Sequence, residues 1–330
     1  MTTLHVLPNT KTPTGLANPM DPFSVLCYKY IKHLAPHYEF IHYGRPGSTV
    51  DCLHVDITAE GIEGFNKQAG EEIAKRKKPG DLIICFYGTD NKPACDMNPD
   101  LITVEPSIGY VPGAVFSPYR VFTSYSQMHM FYGERGMLMN PSWFDEVIPN
   151  GFTPSEFTYR EDKEDFYLYY GRVCKEKGVD IAIQATERIG ARLVIAGPGS
   201  LSDIGYSSIP KHVEMLGLCD AEQRRSLMSR TKAVLAPTYY VEPFGNIVIE
   251  ANLSGTPAIT SDWGGFTENV IHGKTGWRCR DFNSFVDALE LVLDFVRPID
   301  CYNHGMNYAD ELIHQRHDLY LRKIIKGTFY

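Results

Sequence analysis

The sequence has no G-x-G-x-x-G after its first strand-like run, no close cysteine pairs and no apolar stretch of membrane-spanning length. Each absence removes a class. A nicotinamide-dependent Rossmann enzyme needs that glycine fingerprint, and the residues after Leu7 offer only Gly15. The eight cysteines (Cys27, Cys52, Cys85, Cys95, Cys174, Cys219, Cys279 and Cys301) show neither C-x-x-C nor Cys/His ligand spacing. This argues against zinc and fits buried, reduced thiols in a cytoplasmic protein. The start, Met1 to Pro8, lacks the basic and apolar regions of a signal peptide. Any membrane contact is therefore expected to be peripheral. Positive charge is short too: the formal net charge of -8 argues against a broad nucleic-acid footprint, and no nucleic-acid partner is expected.

What remains is an ordinary globular composition, 43% hydrophobic and 22% charged. At 330 residues, two domains are the natural expectation. The first half opens with a strand at Leu4–Leu7, a Pro/Gly-rich loop over Pro8–Pro22 and a helix over Phe23–Leu34. Strand-like runs recur at Glu39–Tyr43, Asp51–Val55, Asp81–Tyr87 and Leu101–Glu105, with a helix at Gly61–Lys78 between two of them. Its basic end, Lys75 to Lys78, suits a helix C-terminus. Phe122, Tyr125, Met128, His129 and Tyr132 keep helical spacing, and His129 reads as a packed side chain. The aromatic segment Tyr110–Tyr132 reads first as core packing and second as a stacking face for an acceptor sugar.

Pro149-Asn150-Gly151 is a turn signal and the expected hinge, after which strands and helices alternate more cleanly. Strands at Phe166–Tyr170, Arg192–Ala196, Val213–Leu216, Ala233–Ala236 and Ala258–Thr260 are each followed by a turn. Helices are expected at Gly178–Ile189, Ala221–Arg230 and Asn246–Ser254. Such alternation predicts parallel sheets covered on both faces. Tyr308–Ile325 reads as a polar amphipathic helix with His314 and His317 on its surface.

Parallel α/β sheets place ligands where strand ends lead into helix N-termini. Three segments converge there. In the first, Tyr239 to Asn246, Gly245 permits close backbone approach, and the amides around Phe244–Ile247 would face an anion such as a diphosphate. Glu242 and Glu250 flank that helix start, and carboxylates suit sugar hydroxyls better than phosphate. The second is Gly171 to Gly178, where Arg172 and Lys177 could reach one diphosphate from the side. The third is Ser261 to Glu268, with a Gly264-Gly265 turn, Trp263 beside it and Glu268 at a helix start. Singly, each reads as a plain loop or a capping residue; together, each after an expected strand, they read as a site.

From about Ile148 to Asp281 the chain resembles the donor domain of family-four retaining glycosyltransferases. The landmarks are Ile148-Pro149-Asn150-Gly151-Phe152, Gly171-Arg172 with Lys177-Gly178, Ala196-Gly197-Pro198-Gly199 and Leu216-Gly217. They continue with Glu242-Pro243-Phe244-Gly245 and Glu250 in the spacing E-x7-E, Gly264-Gly265 with Glu268, and Gly273-Lys274-Thr275-Gly276. The resemblance implies a GT-B fold, two Rossmann-like domains facing across a cleft. It implies an acceptor-side domain over 1–150, a donor domain over 151–305 and a last helix over 306–330 packing back on the first.

By the same resemblance Arg172 and Lys177 hold the donor diphosphate, Glu242 the transferred sugar and Glu250 the ribose hydroxyls. The amides of Phe244 to Asn246 hold the distal phosphate. Gly171, Gly197, Gly217, Leu218 and Ile247 complete the donor site, with the 216–218 loop against the base, and Gly264, Gly265 and Glu268 line it. The implied activity is transfer of a hexosyl group from a nucleotide diphosphate sugar, UDP or GDP, to a hydroxyl acceptor (glycan, lipid-linked or small molecule), with retention. No cofactor or metal is implied, and the chain has no D-x-D. The first half departs from the family. Only Thr14-Gly15 stands where a glycine pair against the donor phosphates is usual, so that Gly15 is the donor-binding glycine there, and Glu105 stands at the place of a sugar-facing histidine. Glu105 is expected either to touch sugar or acceptor or to be a plain strand-end carboxylate. Other readings are a non-catalytic sugar-nucleotide-binding relative, a nucleotide-sugar hydrolase or epimerase, and a nucleic-acid base glucosyltransferase.

Overall fold

The computed structural model describes residues 1–16, 21–108 and 112–327. The chain divides into two compact units. The first comprises Met1–Thr123, Met128–Pro149 and Asp310–Tyr330, and the second Ser124–Gln127 and Asn150–Ala309.

The first unit contains β1 (Thr3–Leu7), α1 (Pro22–Leu34), β2 (Glu39–Gly44), β3 (Leu53–Asp56), α2 (Gly61–Arg76), β4 (Leu82–Cys85) and α3 (Lys92–Asp96). They are followed by β5 (Ile102–Ile108), β6 (Tyr119–Phe122), α4 (Tyr125–Glu134, its residues 125–127 counted with the second unit) and β7 (Glu146–Val147). The seven strands form one parallel sheet in the order β3-β2-β1-β4-β5-β6-β7. The central run Leu82 to Cys85 is buried on both faces, which is why it is apolar throughout rather than alternating. Asp21 starts α1, its carboxylate accepting from the amides of Phe23 and Ser24.

The second unit contains β8 (Tyr167–Tyr170), α5 (Val179–Arg188), β9 (Leu193–Ala196), β10 (Val213–Gly217), α6 (Ala221–Arg230), β11 (Val234–Ala236) and α7 (Asn246–Leu253). It continues with β12 (Ala258–Ser261), α8 (Phe266–Asn269), β13 (Gly276–Cys279), α9 (Phe282–Phe295) and α10 (Pro298–Gly305). Six parallel strands run β10-β9-β8-β11-β12-β13. The order reverses between β8 and β11. In a doubly wound sheet that reversal opens a crevice at the carboxyl ends of the two strands. The loops leaving β8 and β11 are those that carry Arg172, Lys177 and Glu242.

The last helix, α11 (Asp310–Lys326), belongs to the first unit. Its Ile313, Tyr320, Leu321 and Ile324 join Leu4, Val6, Ile31 and Leu34 in one core. His314 and His317 lie on the same buried face, each 7% exposed, so they are not surface residues. The spacing 313/314/317/320/321/324 is an apolar stripe in which two imidazoles replace aliphatic side chains. His129 departs in the other direction: on α4 it is Phe131 and Tyr132 that are buried, while His129 and Tyr125 are exposed. Tyr110, part of the aromatic segment, lies outside the described residues.

Candidate active site

The turn after β8 is built by backbone contacts that leave no room for side chains. The amide of Gly171 donates to the carbonyl of Ala196 (2.9 Å) and that of Gly197 to the carbonyl of Gly217 (2.7 Å), lacing three strand ends together. A Cβ on Gly197 would sit 2.1 Å from the Gly171 carbonyl oxygen. Gly178 adopts φ +67°, and a Cβ there would lie 1.9 Å from the carbonyl oxygen of Pro237, on the loop leaving β11. Only glycine permits that approach. The amide of Tyr239 then donates to the carbonyl of Glu176 (2.9 Å), which fastens the two loops to each other.

This packing sets Lys177 against Glu242. The ammonium Nζ lies 2.9 Å from Glu242 Oε2, with both side chains partly buried. The Tyr240 hydroxyl bonds to both groups, and Lys177 Nζ stands 4.9 Å from the Tyr240 ring centre. Burial, reinforced by the Glu242 carboxylate, pushes the Tyr240 phenol far above its usual range, so it stays a neutral donor. Trp263 Nε1–H donates to the Tyr240 carbonyl (3.0 Å), so this tryptophan anchors the loop. Arg172 is exposed on the same turn, and among the described residues no carboxylate pairs with its guanidinium.

Past Glu242 the chain enters α7. Gly245 precedes it at φ +84°, with its α-carbon against the Phe266 ring, where a Cβ would be 2.3 Å from the nearest ring carbon. No side chain caps this helix and its first turn carries no acidic residue. Its leading amides and dipole therefore remain able to receive an anion. Phe244 is buried, so it can contribute only its backbone. Asn246 is exposed, its Oδ1 accepting from Asn150 Nδ2 (2.8 Å), while Ile247 is partly buried.

One turn into α7, Glu250 Oε1 lies 3.6 Å from Arg224 NH1 on α6. The Tyr170 hydroxyl feels both charges, its pKa raised by burial first, with Glu250 raising and Arg224 lowering it. Leu218 is exposed on the turn after β10, just past Gly217 in its left-handed conformation (φ +66°). The second unit thus holds a Lys–Tyr–Glu cluster before an uncapped helix start and a Glu–Arg pair after it. Tyr240, Tyr170 and Arg224 were not picked out from the sequence. The two tyrosines lie two residues before Glu242 and Arg172, and that adjacency was the available signal.

Gly264 and Gly265 support this loop rather than line its open face. The Gly265 amide donates to the Glu242 carbonyl (2.7 Å), and a Cβ on Gly264 would fall 2.5 Å from the same oxygen. Glu268 is committed as well, its carboxylate accepting from the amides of Tyr125 (2.9 Å) and Ser126 (2.7 Å). Both amides belong to the 124–127 segment of the same unit.

Glu105 and Gly15 lie in the first unit. Glu105 is 0% exposed, and its Oε2 accepts from the amides of Phe116 (3.1 Å) and Ser117 (2.8 Å). That geometry corrects the expectation of a sugar-facing carboxylate, because the group is spent on folding the 116–117 loop. Gly15 is buried, a Cβ on it falling 2.3 Å from Thr49 Oγ1, which makes it a packing glycine.

Residues 155–295 match the family described as "Glycosyl transferases group 1". The match covers less than half of the chain, and the chain as a whole has a GT-B fold of two Rossmann-like domains.

Among characterised relatives, glycogen synthase of Mycobacterium tuberculosis is 39% identical over 139 residues, 38% of this chain and 33% of the relative. The D-rhamnosyltransferase WbpZ of Pseudomonas aeruginosa is 24% identical over 283 residues, 82% of this chain and 68% of its own length. The match thus spans only a third of the glycogen synthase. Among solved structures, sucrose-phosphate synthase from Thermosynechococcus elongatus superposes with a TM-score of 0.74 at 17% identity, covering 99% of this chain and all of the other. Anabaena HepE in complex with UDP-glucose gives 0.73 at 14% identity, with 99% and 100% covered.

Proposed function

We propose that the protein transfers a hexosyl group from a nucleotide diphosphate sugar to a hydroxyl acceptor, with retention of anomeric configuration and without a metal at the reacting centre. The observation that carries the reading is the Lys177–Tyr240–Glu242 cluster set immediately before the uncapped N-terminus of α7. Two kinds of group stand side by side there. The ammonium, the exposed Arg172 guanidinium and the helix amides are suited to a diphosphate. The Glu242 carboxylate, a poor neighbour for phosphate, is suited to accept hydrogen bonds from sugar hydroxyls. Glu250, one turn along the helix, is suited to accept from a ribose diol.

In this mechanism negative charge grows on the departing diphosphate as the glycosidic bond breaks. Lys177, Arg172 and the α7 amides stabilise it without reorganising. The acceptor proton passes to a diphosphate oxygen on the same face, so no side-chain nucleophile is required. The complex of Anabaena HepE with UDP-glucose makes a uridine donor the first to try. Turnover against UDP-, GDP-, ADP- and dTDP-sugars with a panel of sugar acceptors tests the reading. Transfer to an acceptor supports it. Hydrolysis or epimerisation alone, or binding without turnover, would replace it.

A further inference from the structure

Helices α1 and α11 pack together in the first unit, and their contact gathers three imidazoles, a carboxylate and an ammonium. Asp310, His314 and His317 are spaced D-x3-H-x2-H on the buried face of α11. Lys29 and His33 stand one turn apart on α1. Lys29 Nζ is 3.2 Å from Asp310 Oδ2, and His33 Nε2 is 3.9 Å from the same oxygen. The His33 and His314 rings stack with centres 4.6 Å apart and planes 17° from parallel. One ring nitrogen of each and a carboxylate oxygen of Asp310 all lie within 4.8 Å of one another.

A further feature points to a ligand. His314 Nδ1 lies 2.7 Å from the Asp310 carbonyl oxygen and must donate to it, which makes Nε2 the nitrogen that carries the lone pair. A backbone carbonyl holding one nitrogen so that the other can ligate is the usual support of a metal-bound histidine.

We propose that His33, Asp310 and His314 bind one divalent transition-metal ion of the zinc type, which fastens α11 to α1. Two imidazoles and a carboxylate suit zinc and not calcium or magnesium, and three protein ligands leave a fourth position for water. Bond lengths near ~2.0 Å require the three ligand atoms to draw closer than they stand, by rotation of flexible side chains. Lys29 is the group the ion displaces: it neutralises Asp310 in the metal-free protein, and its long stem can swing away. The ion's role is structural, because every ligand belongs to the first unit and none to the donor-site cluster. The cysteine-based pattern that argues against zinc in the sequence does not reach this set, which is assembled from two helices far apart in the chain.

The test is equilibrium dialysis of the chelator-stripped full chain against Zn2+, with Co2+ as a spectroscopic probe. Wild type is expected to take up one ion per chain with a raised Tm. Its Co2+ spectrum is expected to lack the thiolate charge-transfer bands that binding at any of the eight cysteines would give. His33→Ala, at the most exposed ligand and so the least disruptive, is expected to weaken binding at least tenfold. Lys29→Met is expected to tighten it, because the competing ammonium is gone. Thiolate bands, equal affinity in His33→Ala, or no uptake by both wild type and Lys29→Met would overturn the proposal.

Discussion

Lys177 Nζ lies 2.9 Å from Glu242 Oε2, and the Tyr240 hydroxyl joins them. A cation, a neutral donor and an anion share one small volume. A ligand carrying both phosphate charge and sugar hydroxyls can replace every one of these contacts.

Lys177→Met is expected to lower turnover of the accepted donor by about 100- to 1,000-fold, the cost of removing one preorganised stabiliser of developing charge. Tyr240→Phe removes only the shared hydroxyl and is expected to cost about tenfold in kcat/KM. Steady-state kinetics on both variants check this, with circular dichroism to confirm the fold. Unchanged kinetics in Lys177→Met would remove the cluster from the site.

Glu250 and Arg224 form the second half of the proposed donor site. Glu250→Ala is expected to weaken donor binding roughly 10- to 100-fold by removing hydrogen bonds to a charged acceptor. It should weaken a nucleoside diphosphate as much as the intact sugar nucleotide. Calorimetry with both ligands separates this from a sugar contact, which would spare the diphosphate.

Glu105→Gln is expected to act on stability. The carboxylate accepts two backbone amides in a fully buried place, and the amide side chain supports that pair less well. A loss of about 1–3 kcal/mol is expected, with kcat of the folded enzyme unchanged. An unchanged Tm together with lost turnover would restore a role at the sugar.

His42 makes stability depend on acid. It is 0% exposed, 2.8 Å from His54 Nδ1 and 2.9 Å from Thr14 Oγ1. Burial first, and His54 second, lower its pKa from 6.5 to about 3. The unfolded chain therefore takes the proton before the folded one does. Its contribution is complete above the unfolded value and is lost as pH falls towards the folded one, at up to about 1.4 kcal/mol per pH unit. Urea midpoints from about pH 8 down to about pH 4 should fall less steeply in His42→Gln than in wild type. Equal slopes would show that His42 does not titrate this way.

What could be read in the sequence was whatever chemistry is local in the chain. The turn Gly171-Arg172 and the pair Glu242/Glu250 stand out because each combines a glycine or helix start with charge at a strand end. The alternation of β8 to β12 with helices was equally legible. Residues 276–305, by contrast, hold β13, α9 and α10, which pass unread where no functional motif marks them. Tyr240 gains its meaning only when Gly178 lets the β8 and β11 loops touch. Glu268 looks like the cap of its own helix and proves to hold the amides of residues 142 or more positions away. His314 and His317 look polar and are buried, because the α1–α11 contact and not residue type decides their exposure.

The central claim is a nucleotide diphosphate sugar site built on Lys177, Glu242 and Glu250. Isothermal titration of wild type, Lys177→Met and Glu250→Ala with UDP-, GDP-, ADP- and dTDP-sugars tests it most directly. One nucleotide series should bind wild type with one site per chain, and both variants should weaken it at least roughly tenfold, about 1.4 kcal/mol. No binding by any series, or equal binding by all three proteins, would contradict the account.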